Sequence, residues 1–192
     1  ARCGWAQDLS LPVADRAMLH ADNAYFLPNI KIESHRLKTN TQSATAFRGF
    51  GGPQGVLGME RIMDHMAHEL DLDPIAFRVL NYYNPAKAAE HDTTHYHMPV
   101  QDFNLQEMTD KLLTDCNFAH RKRGIDRWNA DHQMMKRGIA FSPVKFGISF
   151  TLSHLNQAGA LVHVYADGSI RINHGGTEMG QGLFQKTAQI AA

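Results

Sequence analysis

The sequence predicts an α+β chain: strands first, a central helical block, then a sheet containing a β-hairpin. Three observations carry this. Ile30 and Ile32 alternate with polar residues in "PNIKIESHRLKTNT", the period of a half-buried strand. From Val56 through Met59, Met63, Met66 and Leu70, apolar residues instead recur every three or four positions, one stripe of a helix. "GALVHVYADGSIRINHGG" then returns to alternation around Asp167-Gly168, a pair suited to a hairpin turn. The chain accordingly divides into strands and a glycine-rich loop at 1–52, a helical block at 53–135, and a hairpin with a second glycine-rich loop at 136–192.

Taken in order, "LPVADRAMLHADNAYFLP" suggests a short helix running into a second strand. Pro53 suits the first turn of the next helix, where its missing N–H is not needed. Asp73 reads as an N-cap with Pro74 at the first helical position of "LDLDPIAFRVLNYYN". Leu105, Met108, Leu112 and Cys116 share one face of a further helix, and "RKRGIDRWNADHQMMK" continues as another. "RGIAFSPVKFGISFT" is rich in β-branched and aromatic residues and reads as strand. A last helix begins near Gly182. There is no internal repeat and no low-complexity tail.

Composition narrows the partners. Nineteen Lys and Arg balance nineteen Asp and Glu, so no charge excess draws nucleic acid or an anionic membrane surface. No apolar run approaches a membrane span and no secretory leader is evident, so a soluble cytoplasmic protein is expected. Cys3 and Cys116, the only cysteines, cannot build a four-thiolate metal site and read as reduced thiols. His91, His95 and His97 crowd "EHDTTHYHMPV" and could bind zinc or copper. A polar loop is the preferred reading, because no cysteine or carboxylate set completes a coordination sphere. No metal-ligating residue is therefore assigned.

Two glycine-rich segments stand out: "AFRGFGGPQG" at 46–55 and "HGGTEMGQG" at 174–182. Each precedes a predicted helix. Glycine lets backbone N–H groups approach a ligand, and a helix N-terminus adds positive potential. Such a loop suits a phosphate or a polar heterocycle, while Phe47 and Phe50 could pack on a planar ring. Neither segment is a dinucleotide fingerprint or a phosphate-loop motif, so a sharp turn into a helix remains the plainer alternative.

Three stretches, "ADRAMLHADNAYFLPNI", "TNTQSATAFRGFGGPQG" and "KFGISFTLSHLNQAGALVHVYADGSIRINHGGTEMGQG", resemble the molybdopterin-binding catalytic region of the molybdenum hydroxylases, the xanthine dehydrogenase and aldehyde oxidase family. The likeness covers nearly the whole chain and is weakest around "HDTTHYHMPVQDF". It implies part of a molybdopterin-binding domain, and an oxidoreductase that hydroxylates hypoxanthine or xanthine to urate with oxygen drawn from water. Electrons would leave through 2Fe–2S clusters and FAD, on other domains or subunits, to NAD. The implied partners are the purine, the remainder of the catalytic subunit, and the iron–sulfur and FAD modules, in a cytoplasmic homo-oligomer.

By the same resemblance, Phe50 packs on the purine and Phe150 meets it from another direction, while Thr151 contacts the substrate. Arg16 binds the purine and offsets negative charge developing during attack. Relatives acting on aldehydes commonly lack this arginine. Phe47, Arg48 and Gly49 would lie beside the cofactor, with Phe47 supporting Phe50 from the packed side. Gly180, Gln181 and Gly182 would hold the pterin and its phosphate. Glu178 reads as structural, because the family's base is a glutamate further toward the C-terminus.

Each residue has a plainer alternative. The phenylalanines could be core, and Arg16 could cap a helix or pair with Asp15 or Asp22. Alternative functions are an aldehyde or N-heterocycle hydroxylase of the same family, and a non-catalytic nucleotide- or metal-binding module. The chain opens on "ARCGWAQ" without an initiator methionine and stops within a helical pattern, so it is expected to be a piece of a longer polypeptide. The family's base glutamate and further cofactor loops are expected outside it. The isolated piece is therefore expected to retain no molybdopterin, to turn over no purine, and to fray or self-associate at its ends.

Overall fold

Asp73 and the two prolines mark helix starts where the sequence places them. In the computed structural model, which describes residues 1–150 and 152–192, α1 spans Ser10–Leu19, α2 Gly52–Glu69 and α3 Pro74–Leu80. Helix α4 follows at Leu105–Asp115 and α5 at Phe118–Asp131. The Asp73 carboxylate accepts from Ile75 N at 2.9 Å and Ala76 N at 3.0 Å, capping α3 as its residue type requires. These elements belong to a unit over Ala1–Phe146.

A second unit, Gly147–Ala192, holds strands β1 Ala160–Val164 and β2 Ile170–His174, then α6 Leu183–Ala191. The strands pair antiparallel with Val162 opposite Ile172. The turn between them has Gly168 at φ 82°, and Asp167 accepts from Ser169 N at 2.9 Å. The α+β expectation holds, with the helical share dominant. Among the described residues, no helix is long and apolar enough to cross a membrane.

Three strand expectations fail in an informative way. The segment after α1 forms turns and one isolated bridge, Tyr25 to Tyr82, in place of a strand. Residues 31–36 do alternate between exposed and half-buried, but they build no ladder. The backbone pairing here is a single parallel bridge between Arg2 and Leu37. Residues 136–150 also form no strand. Their backbone is tied by side chains: Asn23 Nδ2 donates to Pro143 O at 2.9 Å, and Lys145 N donates to Asn23 Oδ1 at 3.2 Å. Composition reports an extended backbone, whereas a strand also needs a partner.

The core lies where α2 meets α3 and the turn after α1. Met59, Met63 and Ala67 of α2 pack with Ala24, Tyr25, Phe77 and Tyr82. Met66 and Leu70, expected on the same stripe, are 44% and 55% exposed. Spacing of four from Met59 leads to Met63 and Ala67, so those two side chains rotate off the buried line. In α4, Thr109 is the buried residue, while Met108 and Leu112 of the expected face are 58% and 51% exposed.

A buried ionic node sits within this core. Glu60 Oε1 accepts from Asn23 Nδ2 at 2.8 Å and from Tyr25 Oη at 2.5 Å, and Oε2 accepts from Arg78 Nε at 2.8 Å. Arg78 also donates to Asp64 at 2.8 Å and to Pro74 O at 3.1 Å. Burial raises the Tyr25 phenol, and the Glu60 carboxylate adds to this, so Tyr25 stays a donor. Removing one member of such a set strands the other charge in the core, which costs about 3–5 kcal/mol. Glu60→Ala is therefore expected to lower the unfolding free energy by about that amount in urea titration. A loss under about 1 kcal/mol, as for an exposed ion pair, contradicts the assignment.

Candidate active site

The loop before α2 is held in a strained, defined shape. Phe50 N donates to Phe47 O at 2.7 Å and Gly52 N to Gly49 O at 3.0 Å, two successive tight turns. Phe50 takes φ 53°, a region that bulky residues rarely occupy and that persists only when surroundings impose it. The surroundings are close. A Cβ on Gly51, at φ 99°, would lie 2.0 Å from the Val13 carbonyl oxygen of α1. One turn on, a Cβ on Gly55 would meet Ala17 O at 2.4 Å. Glycine at both positions lets α2 seat directly against α1.

That seating brings Arg16 to Phe50. The Arg16 guanidinium carbon lies 5.6 Å from the Phe50 ring centroid and 5.5 Å from that of Phe146, in cation–π range of both. Arg16 is 6% exposed, and burial lowers its pKa; it remains cationic, as arginine does in proteins. The two carboxylates proposed as rival partners have other engagements. Asp15 pairs with Arg36, and Asp22 accepts from Tyr83 Oη at 2.6 Å and pairs with Lys145.

Phe47 is 85% exposed, so it does not support Phe50 from a packed side. Phe47 and Arg48 are exposed, while Phe50 is half-buried. Phe150 is half-buried, its backbone N and O both bonded to the Asn156 side chain at 2.7 and 3.1 Å. It belongs to the second unit, whereas Arg16 and Phe50 belong to the first. Thr151 lies outside the described residues.

The loop 177–182 is closed on itself. Glu178 Oε1 accepts from Gly180 N at 2.7 Å and Gly182 N at 3.1 Å, and Oε2 accepts from Phe184 N at 3.3 Å. Gln181 Oε1 accepts from Met179 N at 2.6 Å while its Nε2 donates to Thr177 O at 2.8 Å. Gly180 and Gly182 sit at φ 93° and 76°, which turns their N–H groups inward. Desolvation raises the Glu178 carboxyl, but the backbone donors of Gly180, Phe184, Gly182 and Leu183 outweigh it and hold its pKa below the usual range. Glu178 thus closes the loop onto the first turn of α6.

Several participants escaped the sequence reading. Asp22 and Asn23 are fully buried, and Asn23 takes φ 47° to reach Glu60, Pro143 and Lys145 together. Burial lowers Lys145, with Asp22 opposing the shift, and its ammonium sits 4.7 Å from the Tyr83 ring centroid. Phe146 follows directly and contacts Arg16. The available signal was the polar pair "DN" set among apolar residues. The three crowded histidines are put to separate uses. His91 stacks on Phe26 at 4.0 Å, His95 Nε2 lies 3.1 Å from Met18 O with Nδ1 3.6 Å from Asp22, and His97 is exposed at φ 65°.

Family models described as molybdopterin cofactor-binding domain match residues 1–82 and residues 111–192. The chain is 47% identical over 98% of its length to xanthine dehydrogenase of Emericella nidulans. It is 48% identical over 98% of its length to xanthine dehydrogenase/oxidase of Gallus gallus. In both cases it spans 14% of the relative's length. Among solved structures, an aldehyde oxidoreductase from Desulfovibrio gigas matches with a TM-score of 0.55 at 22% identity, over 85% of this chain and 17% of that one. That likeness concerns the fold.

The Glu178 loop closure carries a pH signature. A carboxyl whose folded pKa lies below its unfolded value stabilises the fold above the unfolded value and loses that contribution as pH falls through the folded one. The Gly180 and Gly182 amide NMR signals are expected to titrate together, with a midpoint below the ordinary glutamate value of 4.5. In Glu178→Gln that step is expected to vanish. A midpoint at or above the ordinary value contradicts the closure.

Proposed function

Because the chain belongs to the molybdopterin cofactor-binding domain family in its xanthine dehydrogenase form, we propose that it contributes the purine-orienting wall of a molybdenum hydroxylase acting on hypoxanthine and xanthine. The observation that carries this reading is the Arg16 guanidinium lying over the face of Phe50, on a loop strained into place at the head of α2. A planar heterocycle packed against Phe50 would lie close to that cation. Negative charge that builds on the ring during attack at carbon is then met by a group already in position, and preorganised charge of this kind lowers barriers most.

The donor set suits the cofactor. The N–H groups of Gly180, Gly182 and Phe184 converge on a carboxylate, so they are arranged for an anionic oxygen, and a pterin phosphate has that chemistry. Gly180, Gln181 and Gly182 would hold it in competition with Glu178, and the family resemblance gives Phe47, Arg48 and Gly49 a cofactor-binding role as well. Molybdopterin, when bound, supplies the two-electron oxidation. This chain's part is to bind and orient the purine through Phe50, Phe150 and Thr151, and to stabilise its charge through Arg16. The division into a substrate and cofactor loop at 1–52, a helical block at 53–135 and a cofactor loop within 136–192 fits those tasks. The base, the 2Fe–2S clusters and the FAD passing electrons to NAD would come from other regions or subunits of a cytoplasmic homo-oligomer.

In the holoenzyme carrying this chain, Arg16→Ala is expected to reduce kcat/KM for hypoxanthine by about 10²–10³-fold, the range for one preorganised charge-stabilising donor. Turnover of an uncharged aromatic aldehyde is expected to change far less. Near-normal hypoxanthine turnover in the variant contradicts the role of Arg16, and with it the purine reading.

A further inference from the structure

Arginine is long and loses much rotamer freedom when fixed, yet Arg16 is held with its charge against an aromatic face. We propose that Phe146 is the positioning residue for Arg16, its ring keeping the guanidinium beside Phe50 so that the cation stands ready for a ring laid there. This deepens the purine reading of the same site and rests on it.

The geometry supports Phe146 from several directions. Its ring centroid lies 5.5 Å from the Arg16 guanidinium carbon, against 5.6 Å for Phe50, so the cation has an aromatic neighbour at matching distance on each count. The Phe146 ring is itself confined. It lies 4.8 Å from the His20 ring, tilted by 44°. It also presses on the start of α2: a Cβ on Gly52 would come within 2.3 Å of its Cε2 atom. A methyl group there would force the ring to move.

The backbone that delivers Phe146 is pinned as well. Asn23 accepts from Lys145 N at 3.2 Å and donates to Pro143 O at 2.9 Å, and the Lys145 ammonium pairs with Asp22. The turn after α1 therefore clamps the segment whose next residue packs on an arginine of α1. His20, on that same turn, donates from Nδ1 to Arg16 O across 3.0 Å. Desolvation is the main reason its pKa is lowered, so it adds no second positive charge beside Arg16 near neutral pH. Phe146 is 38% exposed, so these contacts do not bury it completely.

The test uses Phe146→Leu, which keeps apolar bulk without an aromatic face, and Phe146→Tyr, which keeps the face, both in the holoenzyme carrying this chain. Crystal structures give the first readout. In the leucine variant Arg16 is expected to leave its place over Phe50, and in the tyrosine variant to keep it. Kinetics give the second. The leucine variant is expected to lose about tenfold in kcat/KM for hypoxanthine, within the range of a partly desolvated cation–π contact. It should retain aromatic-aldehyde turnover, with tyrosine restoring the purine rate.

Should the leucine variant not fold, Gly52→Ala displaces the ring from the other side without touching Arg16. The same selective loss is expected there. An unmoved Arg16 in the leucine variant overturns the positioning role. So does a parallel fall in both substrates that tyrosine does not restore, since that marks a merely structural ring. A displaced Arg16 with unchanged purine turnover supports the positioning and overturns the purine reading instead, so the two failures are distinguishable.

Discussion

The Glu60 carboxylate is the constraint on which the rest of the first unit depends. It is buried in α2 and acceptor-only, so it must collect donors from whatever surrounds it. It takes Arg78 from α3, and Asn23 and Tyr25 from the turn after α1. Three segments distant in sequence are thereby fixed at one point. Neighbouring Met59, Met63 and Ala67 supply apolar area, but such packing tolerates small shifts, whereas a buried charge does not.

Asn23 transmits this constraint outward. One amide donates to Glu60 and to Pro143 O and accepts from Lys145 N, so the node that orders the helices also orders a distant extended segment. Asp22 repeats the device next door with Tyr83 and Lys145. At the opposite end of the α1–α2 contact, Gly51 and Gly55 permit the close approach that sets Phe50 against Arg16. The site is thus built from two features: an ionic node that fixes the frame, and a pair of glycines that bring its two helices together.

What was legible in the sequence follows from this. Pro53, Asp73-Pro74 and Asp167-Gly168 act through local backbone chemistry, and the structure forms α2, α3 and the hairpin where they predict. The glycine loops were visible because glycine density is a local property. Asn23, Glu60 and Phe146 were not, because a single polar residue or a lone ring carries no period; its partners lie up to 122 residues away. Residues 136–150 show the same limit from the other side. Their composition speaks for an extended chain, but side chains rather than a neighbouring strand took the hydrogen bonds. The positive φ of Phe50 could not be read either, since phenylalanine gives no hint of it.

The central claim is that Arg16, over Phe50, is the cation that meets the purine. The most direct measurement is a crystal structure of the holoenzyme carrying this chain with a non-reacting purine bound. The account predicts the purine ring packed on Phe50, with a guanidinium nitrogen of Arg16 at about 3 Å from a polar atom on its edge. A purine bound away from Phe50, with Arg16 engaged only by protein groups, would contradict it.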